Sequence, residues 1–187
     1  MGYRAGVTGG AAEGEAERTM RGTGRPDEHT ADAGTAGGRI GSMNHLRLTV
    51  TDIPRAEQFY DPLLGFMGYR LVEKSGIRLA WAAMTPGGSL QWVILSLVSE
   101  AGAERVHDRY SPGLHHFAWN ADSREEVDRF HSLLCDGGVS VLDPPTEYAY
   151  EPGYYAVFFS DPDGMKLEFV HVPVEGSRAY WKTSCGG

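Results

Sequence analysis

Tyr155-Ala-Val-Phe-Phe-Ser-Asp-Pro-Asp-Gly-Met-Lys-Leu-Glu-Phe-Val170 is two apolar runs joined by Asp161-Pro162-Asp163-Gly164. The junction has Pro and Gly where a tight reversal needs one fixed and one permissive backbone angle, so the stretch reads as a β-hairpin. Its second run holds one carboxylate, Glu168, among Leu167, Phe169 and Val170. An acid inside an apolar strand is costly to bury unless something positive meets it. Two histidines, His45 and His116, sit in equally apolar strands elsewhere. Convergence of all three on one metal ion would answer the cost.

Both histidines belong to an internal repeat. His45-Leu-Arg-Leu-Thr-Val-Thr-Asp52 and His116-Phe-Ala-Trp-Asn-Ala-Asp122 each open on His and close on Asp. The step from His45 to Phe59 equals that from His116 to Phe130, so the copies are offset by 71 positions, 45 to 116. A helix follows each strand. Ala56, Phe59, Tyr60, Leu63 and Leu64 fall at i, i+3, i+4, i+7 and i+8, with Asp52 as N-cap and Pro54 in the first turn. Pro62 is expected to kink this helix or end it early. In the second copy Ser123-Arg-Glu-Glu126 has the capping-box spacing, Val127, Phe130 and Leu134 form the stripe, and Gly137-Gly138 stops it.

Three more strand candidates follow each helix, at about 69–74, 77–84 and 90–98, then 139–142, 155–160 and 165–172. The second copy is longer before its last strands, through a Pro- and Tyr-rich loop from Asp143 to Tyr154. Each copy reads βαβββ, and the fold class expected is α+β: two paired modules forming a cupped, mostly antiparallel sheet with helices on the outer face. One domain is expected over 43–174, with modules at about 43–98 and 113–172. Residues 1–42, rich in Gly, Ala and Thr with Tyr3 the only aromatic, are expected to be a disordered leader. Residues 175–187 are expected to be a tail.

Strand alternation places the candidate ligands. Leu46, Leu48 and Val50 would pack beneath the helix, leaving His45 and Arg47 on the concave face. Phe117, Trp119 and Ala121 do the same in the second copy, leaving His116, Ala118 and Asn120 concave. Two sheets curved toward each other would bring His45 and His116 into a shared cleft with Glu168. In the first copy the counterpart of Glu168 is expected at Gln91, with Trp92 as the off-by-one alternative. Two imidazoles, one carboxylate and open positions suit Fe, Zn, Ni, Mn or Co. Each residue also has a plainer reading: a histidine satisfied in a core, or Glu168 paired with Arg47 or Arg78.

The chain has 187 residues, enough for one sizeable core. Its net charge of -8 argues against nucleic-acid binding, which needs clustered Lys and Arg. No apolar run approaches the roughly 20 residues that span a bilayer, and no signal-peptide core is present. Cys135 and Cys185, far apart and in no metal-type spacing, read as free thiols in a reducing cytoplasm.

The paired His motifs, Phe59-Tyr60-x-x-Leu63-Leu64-Gly65-Phe66 and Asp161-Pro-Asp-Gly-x-x-x-Glu168 together resemble the vicinal oxygen chelate superfamily, over about residues 43–172. That superfamily includes glyoxalase I, extradiol dioxygenases and fosfomycin- and bleomycin-resistance proteins. The resemblance implies paired βαβββ modules around a divalent metal that chelates two adjacent oxygens of a small-molecule substrate. Carried over by position, the metal ligands are His45, His116 and Glu168, with Gln91 in a fourth slot. His115 is expected to face away, though a slip of one residue would exchange it with His116. The loop Glu151-Pro-Gly-Tyr-Tyr155 places Tyr150, Tyr154 or Tyr155 near the cleft mouth. Glu168, Tyr150, Tyr155 and His107 are acid/base candidates, with Glu168 and Tyr155 foremost, and Arg47, Tyr150, Tyr154 and Asn120 are candidate substrate contacts. The function implied is a metal-dependent isomerase, lyase or ring-cleaving dioxygenase. The alternative is a non-catalytic small-molecule binding protein of the bleomycin-resistance type. Many two-module relatives dimerise, so a homodimer is one of the partners to test.

Overall fold

The computed structural model describes residues 41–102 and 104–184. The expectation of a disordered leader therefore lies, apart from Gly41 and Ser42, outside the described residues. The elements are β1 (His45–Val50), α1 (Ile53–Phe66), β2 (Arg70–Lys74), β3 (Arg78–Met84), β4 (Leu90–Leu97), a single 3₁₀ turn (Glu100–Gly102), β5 (His116–Asn120), α2 (Arg124–Asp136), β6 (Ser140–Glu147), β7 (Tyr155–Ser160), β8 (Lys166–His171) and α3 (Val174–Ser184). They form two four-stranded sheets, ordered β1-β4-β3-β2 and β5-β8-β7-β6. In each sheet the first strand of the module runs parallel to its last, and every other pairing is antiparallel. The α+β class and the two βαβββ modules are thus as expected.

Local chemistry sets the element ends. Asp52 Oδ1 accepts from the Arg55 amide at 2.7 Å at the start of α1. Ser123 Oγ accepts from the Glu126 amide at 3.2 Å, while Glu126 Oε2 reaches back to the Asp122 amide at 3.0 Å. The β7–β8 hairpin closes through the Gly164 amide on the Asp161 carbonyl at 3.1 Å, with Gly164 at φ +86°, a conformation that L side chains rarely adopt.

Three expectations are corrected. α1 does not end at Pro62; it runs on to Phe66, because Leu63 and Leu64 just beyond the proline are buried in the core and outweigh the lost amide donor. β6 extends through Pro144-Pro145 to Glu147, with register shifts between Val141 and Thr146 where the prolines have no amide to donate. The expected tail is largely the helix α3, whose buried Gly176 lies so close to the Pro152 carbonyl that an added Cβ would stand 2.3 Å from that oxygen.

The two modules share one core. Leu48, Val50, Leu79, Trp81, Val93 and Leu95 from the first join Val127, Phe130, Leu134, Val157, Phe159, Leu167 and Phe169 from the second. α1 is the bridge, with Phe66 packing on Phe130 and Phe169 at centroid distances of 5.4 and 6.1 Å and Phe59 on Phe159 at 6.3 Å. The modules therefore meet through their helix-bearing sides. Tyr60 adds a buried polar tie, its hydroxyl donating to Asp161 Oδ2 at 2.8 Å. Arg55 and Thr51 complete the contact by bonding the Asp163 carboxylate. Among the described residues no helix is long and apolar enough to cross a membrane.

Candidate functional site

Register fixes which side chains share a face. In the second sheet His116 stands opposite Lys166 and Ala118 opposite Glu168, and Glu168 in turn stands opposite Phe158 of β7. His116, Lys166, Glu168 and Phe158 therefore lie on the face turned away from α2. Val170, Ala156 and Phe158 form a small second cluster there, with Tyr148, Tyr154 and Val172 against it. Glu168 is only 1 % exposed. Its Oε2 lies 3.3 Å from His116 Nε2, and its Oε1 accepts the Tyr154 hydroxyl. His115, just outside β5, contacts His116 through Nδ1 of both rings at 2.7 Å.

The electrostatics follow from burial. Burial pushes the Glu168 carboxyl above the usual carboxylate range, against the Tyr154 hydrogen bond and the Lys166 charge, which pull it down. Tyr154 is held far above the ordinary phenol range, by burial first and then by its bond to Glu168 and that group's charge. The His116 imidazole is pulled down by burial and then by the charges of Lys166 and Arg109. A neutral imidazole beside a buried acid that is hydrogen-bonded by a phenol and forms no Lys or Arg ion pair among the described residues is a donor pair suited to a cation. Two ligands of one ion at about 2.1 Å each stand roughly 3 to 3.4 Å apart, so the observed 3.3 Å fits a shared ion.

His45 is not part of this cluster. It starts β1, exposed, with Nδ1 2.9 Å from Asn44 Oδ1. Among the described residues no three His, Cys, Asp or Glu side chains converge as a metal site. The reason lies in the fold: the common core is built from the helix-bearing sides of both sheets, so the two histidine-bearing faces look away from it. A cleft shared by His45 and His116 within one chain, as the sequence suggested, is not formed.

Other candidates are relocated by register. His45 stands opposite Trp92 and Arg47 opposite Ile94, so the first-module counterparts of Lys166 and Glu168 are Trp92 and Ile94. Gln91 has the parity of Val93 and Leu95 and belongs to the helix-bearing side, which corrects its assignment as a fourth ligand. Tyr155 likewise shares parity with Val157 and Phe159. Its hydroxyl donates to Asp128 of α2 at 2.8 Å and Arg124 lies over its ring at 4.4 Å, so it has no place beside Glu168 as a catalytic group. Arg47 lies on the His45 face and donates from Nε to Ser96 Oγ at 3.0 Å. Tyr150 stacks on Tyr148 at 5.4 Å with Tyr154 edge-on to both, making an aromatic wall next to Glu168. Asn120, on the His116 face at the far end of β5, lines a cavity of about 650 Å³ closed by α3. His107 lines a separate cavity of about 480 Å³ with Thr49 and Asp163, its Nε2 buried with no hydrogen-bond partner among the described residues. Cys135 is an exposed free thiol, and Cys185 lies outside the described residues.

Lys166 and Tyr148 are the site residues that sequence reasoning passed over. Lys166 was within reach of it, since position 166 lies two before Glu168 and period-2 alternation puts both on one face.

Paired βαβββ modules, the second carrying a His–Glu pair on the sheet face away from its helix, define a two-module α+β protein. The chain belongs to the Glyoxalase/Bleomycin resistance protein/Dioxygenase superfamily, whose family model matches residues 42–169. It is 30% identical over 129 residues to the uncharacterized protein YqjT of Bacillus subtilis, covering 68% of this chain and 97% of that protein. It is 25% identical over 143 residues to the metallothiol transferase FosB of Lysinibacillus sphaericus, covering 76% of this chain and 91% of the relative. The crystal structure of a putative glyoxalase from Bacillus halodurans superposes with a TM-score of 0.61 at 27% identity, covering 72% of this chain and 98% of that one.

Proposed function

We propose that the chain is a divalent-metal-dependent enzyme that holds a small substrate through two adjacent oxygens, and that its working unit is a homodimer. His116 and Glu168 are two ligands from one chain, and His45 of a second copy is the third. The observation that carries this reading is the buried carboxylate of Glu168, 3.3 Å from His116 Nε2 and in no ion pair with a Lys or Arg among the described residues. Support for the second copy comes from topology: among the described residues β1 and β5 are both edge strands, each with a side that no other strand covers and that another sheet can approach. Their histidine-bearing faces can be brought together only by another molecule, because the shared core turns them apart within one chain. The relative named a metallothiol transferase accords with a metal in this fold.

When bound, the ion would polarise the two oxygens and stabilise negative charge building on them, which serves isomerase, lyase and dioxygenase chemistry alike. The chain's own residues do the rest. Tyr154 orients Glu168, the Tyr148–Tyr150 wall shields one side, and Arg47 of the second copy contacts the substrate. Metal content tests the reading. Purified protein should contain about one Fe, Zn, Ni, Mn or Co per chain, lost in His45→Ala, in His116→Ala and in Glu168→Ala. Co-expression of His45→Ala with Glu168→Ala chains should restore metal to mixed dimers, since one of their two sites is intact. A metal-free wild type that binds small molecules unchanged would instead establish a non-catalytic binding protein.

A further inference from the structure

We propose that Lys166 is the anchor for an oxyanion, so that the substrate of this face is a small acid with a negative charge next to its chelating oxygens; the inference rests on the metal reading above. Lys166 is the direct strand partner of His116 and lies two residues before Glu168 on the same face. Neighbouring strands lie about 4.8 Å apart, so its stem starts beside both proposed ligands. The ammonium group sits 3.8 Å over the Phe158 ring, itself opposite Glu168. It forms no ion pair with any described residue, and neither does Arg109, whose guanidinium lies over Tyr110 at 5.1 Å while Tyr110 packs on His115 at 5.7 Å.

The chain's net charge of -8 leaves acids in plenty, yet the two cations whose charges reach His116, Lys166 and Arg109, are each held by a ring and not by an acid among the described residues. A π face attracts a cation without cancelling its charge. An uncancelled positive charge next to a metal position opposes metal binding, by Coulomb repulsion that falls only with distance and screening. A ligand that is itself anionic reverses the sign: it draws on the ion and on the ammonium together, and Lys166 becomes a net attraction once that ligand is present. In the first module the position corresponding to Lys166 is Trp92, so the asymmetry also says which end of the substrate carries the charge: the one nearest β8.

The test compares oxalate with its neutral isostere oxamide on cobalt-loaded full-length protein, read by calorimetry and by the cobalt d–d absorption. Lys166→Met should weaken oxalate about tenfold or more, the loss of one charge-assisted hydrogen bond, and leave oxamide within twofold. Lys166→Arg should keep oxalate within a few-fold of wild type. Cobalt affinity of the metal-free Lys166→Met protein should be tighter than wild type, an outcome that a merely structural lysine would not give. Equal losses for oxalate and oxamide, or no loss for oxalate, would overturn the anchor. If the wild type takes up no cobalt, the metal reading fails on its own, and the oxalate comparison is read on the metal-free protein. There, binding lost in Lys166→Met upholds the anchor, and absence of oxalate binding to wild type overturns it.

Discussion

Tyr154 donates its hydroxyl hydrogen to Glu168 Oε1, which leaves Oε2 as the oxygen turned toward His116. A partner of this kind fixes a ligand's rotamer and its free lone pairs before any ion arrives. Tyr154→Phe keeps the ring in its edge-on contact with Tyr148 and deletes only the donor. Its affinity for zinc or cobalt should fall about tenfold, with the melting curve close to wild type. Metal titration of both proteins checks this, and equal affinities would show that Glu168 is oriented by its strand alone.

The fold was legible because two periods agree. The 71-position offset, the helix stripes at Phe59 and Phe130 and the Asp161–Gly164 turn all point to the same βαβββ unit twice over, and each is a local feature. The site was legible one strand at a time. Alternation placed His116 and Glu168 on a common face correctly, since both belong to neighbouring strands of one sheet. Tyr155 came from the resemblance of the Glu151–Tyr155 loop and not from alternation; β7 begins at Tyr155 as expected, and its shared parity with Val157 and Phe159 puts it on the helix-bearing side. How the two modules meet is a property of the packing around α1, decided by Phe59, Phe66 and Tyr60 against the second module, and no period in the chain encodes it.

Register makes Gln91 and Tyr155 controls. Both are on the helix-bearing side, so Gln91→Ala and Tyr155→Phe should leave metal stoichiometry unchanged and affinity within twofold. Tyr155→Phe loses one hydrogen bond to Asp128, at a cost of about 1 kcal/mol in stability. Elemental analysis and urea unfolding of the two variants decide the matter. A metal-deficient Gln91→Ala would mean that β4 pairs one residue out of the register seen here.

Phe130 is fully buried and touches rings from both modules: Phe66 at 5.4 Å, Phe159 at 5.4 Å and Phe169 at 4.5 Å. Phe130→Ala removes a large side chain from a core with no spare partner, and about 3–5 kcal/mol of stability should go with it. Because the core is common to both modules, far-UV circular dichroism and tryptophan fluorescence should report one shared, earlier urea midpoint. Two separated transitions would show modules that fold independently.

Asp161 gives a signed pH dependence. It is 6 % exposed, and burial, with the neighbouring Asp163 charge adding to it, holds its carboxyl above the usual carboxylate range despite bonds from the Met165 amide and the Tyr60 hydroxyl. A folded-state pKa above the unfolded one means that the folded protein binds the proton more tightly. The stability this contributes is complete below the unfolded pKa, near 3.9, and is lost as pH rises through the folded value. Asp161→Asn cannot ionise, keeps an oxygen acceptor for the Met165 and Asp163 amides, and can turn its amide hydrogens to the Tyr60 oxygen. The stability difference between variant and wild type should therefore move in the variant's favour from the acid range to neutral pH. Urea unfolding of both proteins across that range measures it, and a difference that stayed constant or moved the other way would show that the hydrogen bonds around Asp161 outweigh its burial.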